Sequence, residues 1–171
     1  DRLVLLHSAG SLQRIEISEG AAFERYSADR GSLDGVLADG AGMTALDTTF
    51  RGLHATLLVN VVSTNYFEVL GVQPHLGRLL TADDGAEAPP VLVLNFASWR
   101  NAFGADPTVV GAPIAIGGRS FMIVGVAPRG FSGLTVGAAP DAFSPFSPGR
   151  LGKAWVRIVA RLRPGLTPDR A

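Results

Sequence analysis

The amino-acid sequence predicts an α+β domain with more strand than helix. Three observations carry that expectation. Apolar runs are short and are bounded by Gly, Pro, Asn or Asp, as strands are. One pair of runs, Pro113–Ile116 and Arg119–Val126, flanks Gly117-Gly118, the two-residue connection suited to a primed hairpin turn. Brief helix patterns, with a capping residue before and a glycine after, lie between the runs at 63–71 and 95–104.

In chain order, Leu3–Leu6 reads as a buried strand and 12–17 as a second one with partial alternation. Ser18 is placed to cap a helix to about residue 30, with Phe23 and Tyr26 on one face. Gly31 and Gly35 punctuate its end, and Leu33, Val36 and Leu37 continue its apolar contact. Residues 43–62 read as extended, rich in Thr, Val and Leu, with a bend at Gly52. Ser63 or Thr64 is expected to cap a single helical turn in which Tyr66 and Leu70 share a face, and Gly71 supplies its left-handed end. Residues 72–80 read as loop, and Thr81-Ala82-Asp83-Asp84 as a helix start with acids at its positive end. After a linker at 86–90, Val91–Leu94 is a buried strand, and Asn95 caps a helix over 96–103 in which Trp99 and Phe103 stack four apart. In the hairpin, Ile114 and Ile116 face one way, as do Phe121, Ile123 and Gly125. Residues 128–148 read as loop with one short strand near 142–146. The stretch 154–162 alternates, Val156, Ile158, Ala160 and Leu162 inward and Arg157, Arg161 and Arg163 onto a solvated face.

Composition sets bounds on function. The 171 residues suffice for one sizeable domain or two small subdomains, and 47% hydrophobic against 18% charged is too apolar for a disordered chain. Fifteen basic residues balance fifteen acidic ones, so no global field favours nucleic acid. The absence of cysteine excludes disulfide scaffolds, thiol catalysis and cysteine-ligated zinc. No apolar run approaches the ~20 residues needed to span a bilayer; 57–62 is interrupted by Asn60. The chain opens on Asp1 without a signal peptide and stops at Thr167-Pro168, a helix start with almost no helix after it. Both ends are read as cuts in a longer protein.

No catalytic group, metal site or cofactor site emerges from the side chains. His7, His54 and His75 are far apart in sequence and lack a second ligand at metal spacing. Asp83-Asp84 has no glycine-bounded calcium loop, and Gly40-Ala41-Gly42 lacks the third glycine of a dinucleotide fingerprint. Ser132 stands in Gly130-Phe131-Ser132-Gly133, which does not satisfy the Gly-x-Ser-x-Gly frame of a nucleophile elbow. Candidate contacts for a partner are Phe131 and Leu134 in the long loop and Arg157 and Arg161 on the last strand.

An ordered series of segments resembles the extracytoplasmic core domain of MacB-like ABC-transporter permeases, nearest to the duplicated orphan permeases of acidobacteria. It runs from Val62-Ser63-Thr64-Asn65-Tyr66-Phe67-Glu68-Val69-Leu70-Gly71-Val72 through Leu76-Gly77-Arg78 and Val91–Leu94 to Trp99 and Phe103-Gly104. It continues with Asp106-Pro107, Val110-Gly111, Ile123-Val124-Gly125-Val126-Ala127-Pro128 and Gly130-Phe131. Ala139-Pro140-Asp141 and Ala160-Arg161-Leu162-Arg163-Pro164-Gly165 complete it.

The resemblance implies an α+β architecture with a porter-like βαβ subdomain, residues 1–62 and 153–171, and an inserted β-rich, Sabre-like subdomain, 63–152. The segment 148–155 is shorter than the family leads one to expect. By the same resemblance, transmembrane helices of the parent chain flank the domain on the periplasmic face of the inner membrane. An ABC ATPase works on the cytoplasmic side, and a second permease copy or a periplasmic partner is engaged. The domain transmits motion without catalysis. Tyr66, Phe67, Leu70, Gly71, Trp99, Phe103 and Gly125 are then fold-defining positions. The competing expectation is a free-standing ligand- or peptide-binding module with its pocket between two subdomains.

Overall fold

The computed structural model describes residues 3–6, 18–28, 32–85, 88–135, 137–146 and 154–165. Among them are β1 (Leu3–Leu6), β2 (Ser18–Glu19), α1 (Gly20–Ser27), β3 (Leu33–Phe50), β4 (Leu53–Val62), α2 (Tyr66–Leu70) and β5 (Leu76–Gly77). They are followed by β6 (Val91–Leu94), α3 (Phe96–Ala102), β7 (Pro113–Ile116), β8 (Arg119–Val126), β9 (Ala142–Pro145) and β10 (Trp155–Leu162). The α+β class is met, with sheet dominant.

The architecture turns on β3, an 18-residue strand that serves two layers. Its first part pairs antiparallel with β10, from Gly40 opposite Val156 to Leu33 opposite Leu162. Because β10 also pairs antiparallel with β1, strands β1 and β3 run parallel on either side of it, with α1 in their connection. The second part of β3 pairs with β4 and, at Thr48 and Thr49, with β7. Pairing then passes from β4 to β9, β6, β8 and β7 and back to β3, which closes a six-stranded barrel. Closure removes free edges around the ring.

The strand changes layer at Gly40-Ala41-Gly42. Asp39 stands opposite Val62 and Met43 opposite Asn60, so three residues face Val61 alone. Such a bulge bends and twists the strand that carries it. A Cβ on Gly40 would lie 2.8 Å from the Val61 carbonyl oxygen, so a side chain here would push β3 and β4 apart.

Three clusters of apolar side chains follow from this arrangement. Leu57, Leu92, Leu94, Ile114, Ile116 and Ile123 fill the barrel, joined by Trp99 and Val109 from α3 and the loop after it. Ala22 of α1 packs with Phe23 and Tyr26 over Val36, Ala38, Val156 and Ile158. The third cluster lies between sheet and barrel, where Leu37 and Val159 meet Tyr66, Phe67, Val93, Val124 and Phe143. Strand β6 therefore turns Leu92 and Leu94 into the barrel and Val91 and Val93 onto the sheet side. Burial on both faces is why Val91-Leu92-Val93-Leu94 shows no alternation.

Several local expectations hold. Gly117-Gly118 turns the β7–β8 hairpin with both φ angles positive, Gly71 ends α2 at φ 69°, and the Asn95 side chain accepts from Ala97 N–H at 2.8 Å. Others are corrected. Ser18 does not cap α1: it pairs with Val156 in β2, the Gly20 N–H donates to Ala154, and α1 stops at Ser27. Leu33, Gly35, Val36 and Leu37 belong to β3, because ladder pairing with β10 outweighs a weak helix continuation. Ser63 is not a helix cap either; its hydroxyl accepts from Ala38 N–H at 2.9 Å and donates to Asn65. Trp99 and Phe103 do not stack on each other: Phe103 meets Phe50 edge-on, and Trp99 meets Phe96 and His75. The loop after α2 contains the short strand β5 on the edge of β8. Residues 12–17, Gly31, 148–153 and 167–171 lie outside the described residues.

Gly125 has the least room of the described glycines. A Cβ there would meet the Arg78 carbonyl oxygen below van der Waals distance, with Leu76 O at 2.7 Å and Arg78 N at 2.8 Å. Backbone cannot yield as a side-chain tip does. Gly125→Ala is expected to cost about 3 kcal/mol or more, whereas Gly42→Ala, whose Cβ meets nothing within 4 Å, is expected to be neutral within about 0.5 kcal/mol. Urea midpoints of the two variants measure the difference.

Candidate functional site at the seam between sheet and barrel

Where β3 leaves the sheet, the structure buries a charge. Asp39 is 0% exposed. One carboxylate oxygen accepts from Arg157 Nη2 at 2.6 Å and the other from Asn60 Nδ2 at 2.6 Å. Burial pushes the Asp39 carboxyl up from its ordinary value, and the Asn60 amide and the Arg157 guanidinium pull against that. Arg157 also donates to the Leu134 carbonyl at 3.3 Å and the Thr135 hydroxyl at 2.9 Å. A single guanidinium thus ties β3, β10 and the long loop together.

The loop it holds forms a cover. Phe131 and Leu134 pack on the seam cluster, and the rings of Tyr66, Phe67, Phe131 and Phe143 pair with one another at centroid distances of 5.3 to 6.4 Å. The Tyr66 hydroxyl is buried, and no well-formed hydrogen bond holds it among the described residues. Burial, then the nearby Asp39 charge, pushes its ionisation above the usual phenol range. On the far side of α2, Arg161 Nε donates to the Val69 carbonyl at 2.8 Å, near the C-terminal end of that helix.

The residues singled out from sequence therefore divide in two. Tyr66, Phe67, Leu70, Phe131, Leu134, Arg157 and Arg161 meet at the seam. Gly71 ends α2 beside them, Gly125 lies under the Arg78 backbone, and Trp99 and Phe103 belong to the α3 end of the barrel. The solvated-face reading of the β10 arginines is corrected: the Arg157 side chain is only 23% exposed, because α2 and the loop cover that face of the sheet as α1 covers the other. Sequence reasoning missed Asp39. An acid after Val36-Leu37-Ala38 and an amide inside Leu57–Val62 were the available signals, each too common alone to pair them across 21 residues.

The acids of Asp83-Asp84 have a structural use. Asp84 forms a capping box with Thr81 and a two-point ion pair with Arg78 at 2.6 and 2.7 Å. Burial alone would raise its carboxyl, but Arg78 and the Thr81 N–H outweigh that and hold it below the ordinary value. Ser132 is exposed and bonds neither a histidine nor an acid among the described residues. His54 shares a hydrogen bond with Thr49, and no three His, Asp or Glu among the described residues gather as metal ligands.

The geometry has known counterparts. The family model for the MacB-like periplasmic core domain matches residues 7–171. The chain belongs to that family. Among solved structures, the periplasmic region of MacB from Actinobacillus actinomycetemcomitans aligns with a TM-score of 0.71 at 18% identity, covering 98% of this chain and 76% of its own. The extracellular domain of the noncanonic ABC-type transporter YknZ from Gram-positive bacteria gives 0.64 at 14%, covering 96% and 83%. A domain of a permease protein from Porphyromonas gingivalis gives 0.65 at 14%, covering 88% and 65%. At these identities the likeness is one of fold. No curated protein sequence matches the chain.

Within this MacB-like domain, Arg157→Met leaves Asp39 buried without its counter-charge, and a loss of about 3–5 kcal/mol is expected by chemical denaturation. Combining it with Asp39→Asn removes the stranded charge and is expected to recover at least half of the loss. A loss below about 1 kcal/mol for Arg157→Met contradicts the role given to the pair.

Proposed function

We propose that this domain is the extracytoplasmic part of a MacB/FtsX-type ABC-transporter permease and passes conformational change to an extracytoplasmic partner or substrate, without catalysing a reaction itself. The observation that carries the proposal is one-piece construction. β3 runs through both layers, and the Asp39–Arg157 pair fixes the point where it crosses. A body that relays displacement must not absorb it, and a continuous strand with a packed aromatic seam resists bending.

On this reading residues 1–62 and 153–171 form the porter-like subdomain and 63–152 the Sabre-like one. The parallel β1 and β3 with α1 in their connection support the first, and β5 to β9 the second. Strands β3 and β4 complete the barrel that the inserted segment cannot close alone. Leu3 stands opposite Arg161, so the start of β1 and the end of β10 lie side by side. On this reading the parent chain's own transmembrane helices adjoin the domain on that side. The cytoplasmic ABC ATPase, and a second permease copy or a periplasmic partner, complete the assembly.

Leu53 on the barrel tip and Trp155 on β10 are 72% and 59% exposed, and the chain has no cysteine to interfere with labelling. In the parent permease on a cysteine-free background, Leu53→Cys is expected to react with a membrane-impermeant maleimide in intact spheroplasts. Spin labels at Leu53→Cys and Trp155→Cys are expected to keep one distance between nucleotide-free and ATP-trapped states. Labelling only after lysis contradicts the location, and a nucleotide-dependent change in the distance contradicts the rigid relay.

A further inference from the structure

The barrel is closed at one end and hollow at the other. Trp99 and Phe103 seal the end next to α3. At the end where β6 and β8 begin and β4 and β9 finish there is a cavity of about 270 Å³. All six barrel strands line it: Leu46, Val59, Leu92, Ile116 and Phe121 give the apolar wall with Pro145, and Phe146 stands at the rim. Mouths of β-barrels are favoured ligand positions, and this volume lies below the ~300–1,000 Å³ usual for drug-sized molecules.

Among the described residues, two charged ones border the cavity. Asp84 is consumed by the two-point pair with Arg78 and by the Thr81 N–H, so its charge is already answered. Arg119, at the first position of β8, is exposed and makes no ion pair or hydrogen bond among the described residues. Among the described residues the one uncharged polar side chain in the wall, Ser144, donates to the Val91 carbonyl. An apolar hollow whose rim carries Arg119, unpaired among the described residues, complements a short apolar chain that ends in an anion.

We propose that the barrel mouth binds a free, single-chain amphipathic anion, its chain among Leu46, Ile116 and Phe121 and its head group on Arg119. The inference stands independently of the transport reading.

The test is calorimetric titration of the 171-residue chain with decanoate, acetate and decyltrimethylammonium, alongside sedimentation with phosphatidylglycerol vesicles. Decanoate is expected to bind, with acetate and the cationic amphiphile at least tenfold weaker. Arg119→Glu is expected to weaken decanoate at least tenfold while leaving the thermal midpoint in place, since Arg119 is exposed and holds no other group among the described residues. Leu46→Phe, which fills the hollow from a half-buried position, is expected to abolish binding with the circular dichroism spectrum retained. Equal binding of the cationic amphiphile, or unchanged decanoate affinity in either folded variant, overturns the proposal. So does capture by vesicles without binding of decanoate, which would assign the site to a bilayer lipid.

Discussion

Strand β3 has to be in two places, and the Asp39–Arg157 pair is where the fold settles how. A strand that serves a sheet and then a barrel must bend, and the bulge at Gly40-Ala41-Gly42 bends it. A bulge alone does not fix the register of β3 against β4, in which a one-residue shift would turn half-buried Leu46 to the other face. The buried carboxylate of Asp39 removes that freedom. It reaches Asn60 on β4 and Arg157 on β10 together only in the observed register, and any slip leaves a charge buried without its answer.

The same pair explains why the loop before β9 is folded back. Arg157 offers its remaining donors to Leu134 and Thr135, and the loop so held lays Phe131 over Tyr66 and Phe67. Energetically a buried ion pair contributes little beyond a well-packed apolar alternative. Its effect here is on specificity: it selects one way of joining sheet, barrel and loop. The apolar seam supplies the stabilisation, and the polar node decides its geometry.

Much of this was legible in the sequence where the signal is local. Gly117-Gly118 between two alternating runs, Asn95 before Trp99, and Gly71 after Tyr66-Phe67 each specify a turn or a cap through residues a few positions apart, and the structure has all three. The ordered motif series led to the family as well. What failed was long-range. Leu33-Asp34-Gly35-Val36-Leu37 reads as the tail of a helix until β10, more than a hundred residues later, pairs with it. The β10 arginines read as solvated because alternation reports that a strand has two faces and is silent on what covers the second. Closure of the barrel rests on two residue pairs between β3 and β7, which leave no mark on composition or periodicity.

The central claim is that sheet and barrel are one cooperative body joined through β3. Native-state hydrogen exchange reads this directly, because amides in a single cooperative unit open with a shared free energy. The account predicts that protected β3 amides on the sheet side, around Val36 to Ala38, and on the barrel side, around Leu46 to Thr48, exchange through the same opening and respond alike to added denaturant. Barrel amides that open more than about tenfold more often than those of the sheet, with a smaller denaturant dependence, would contradict it.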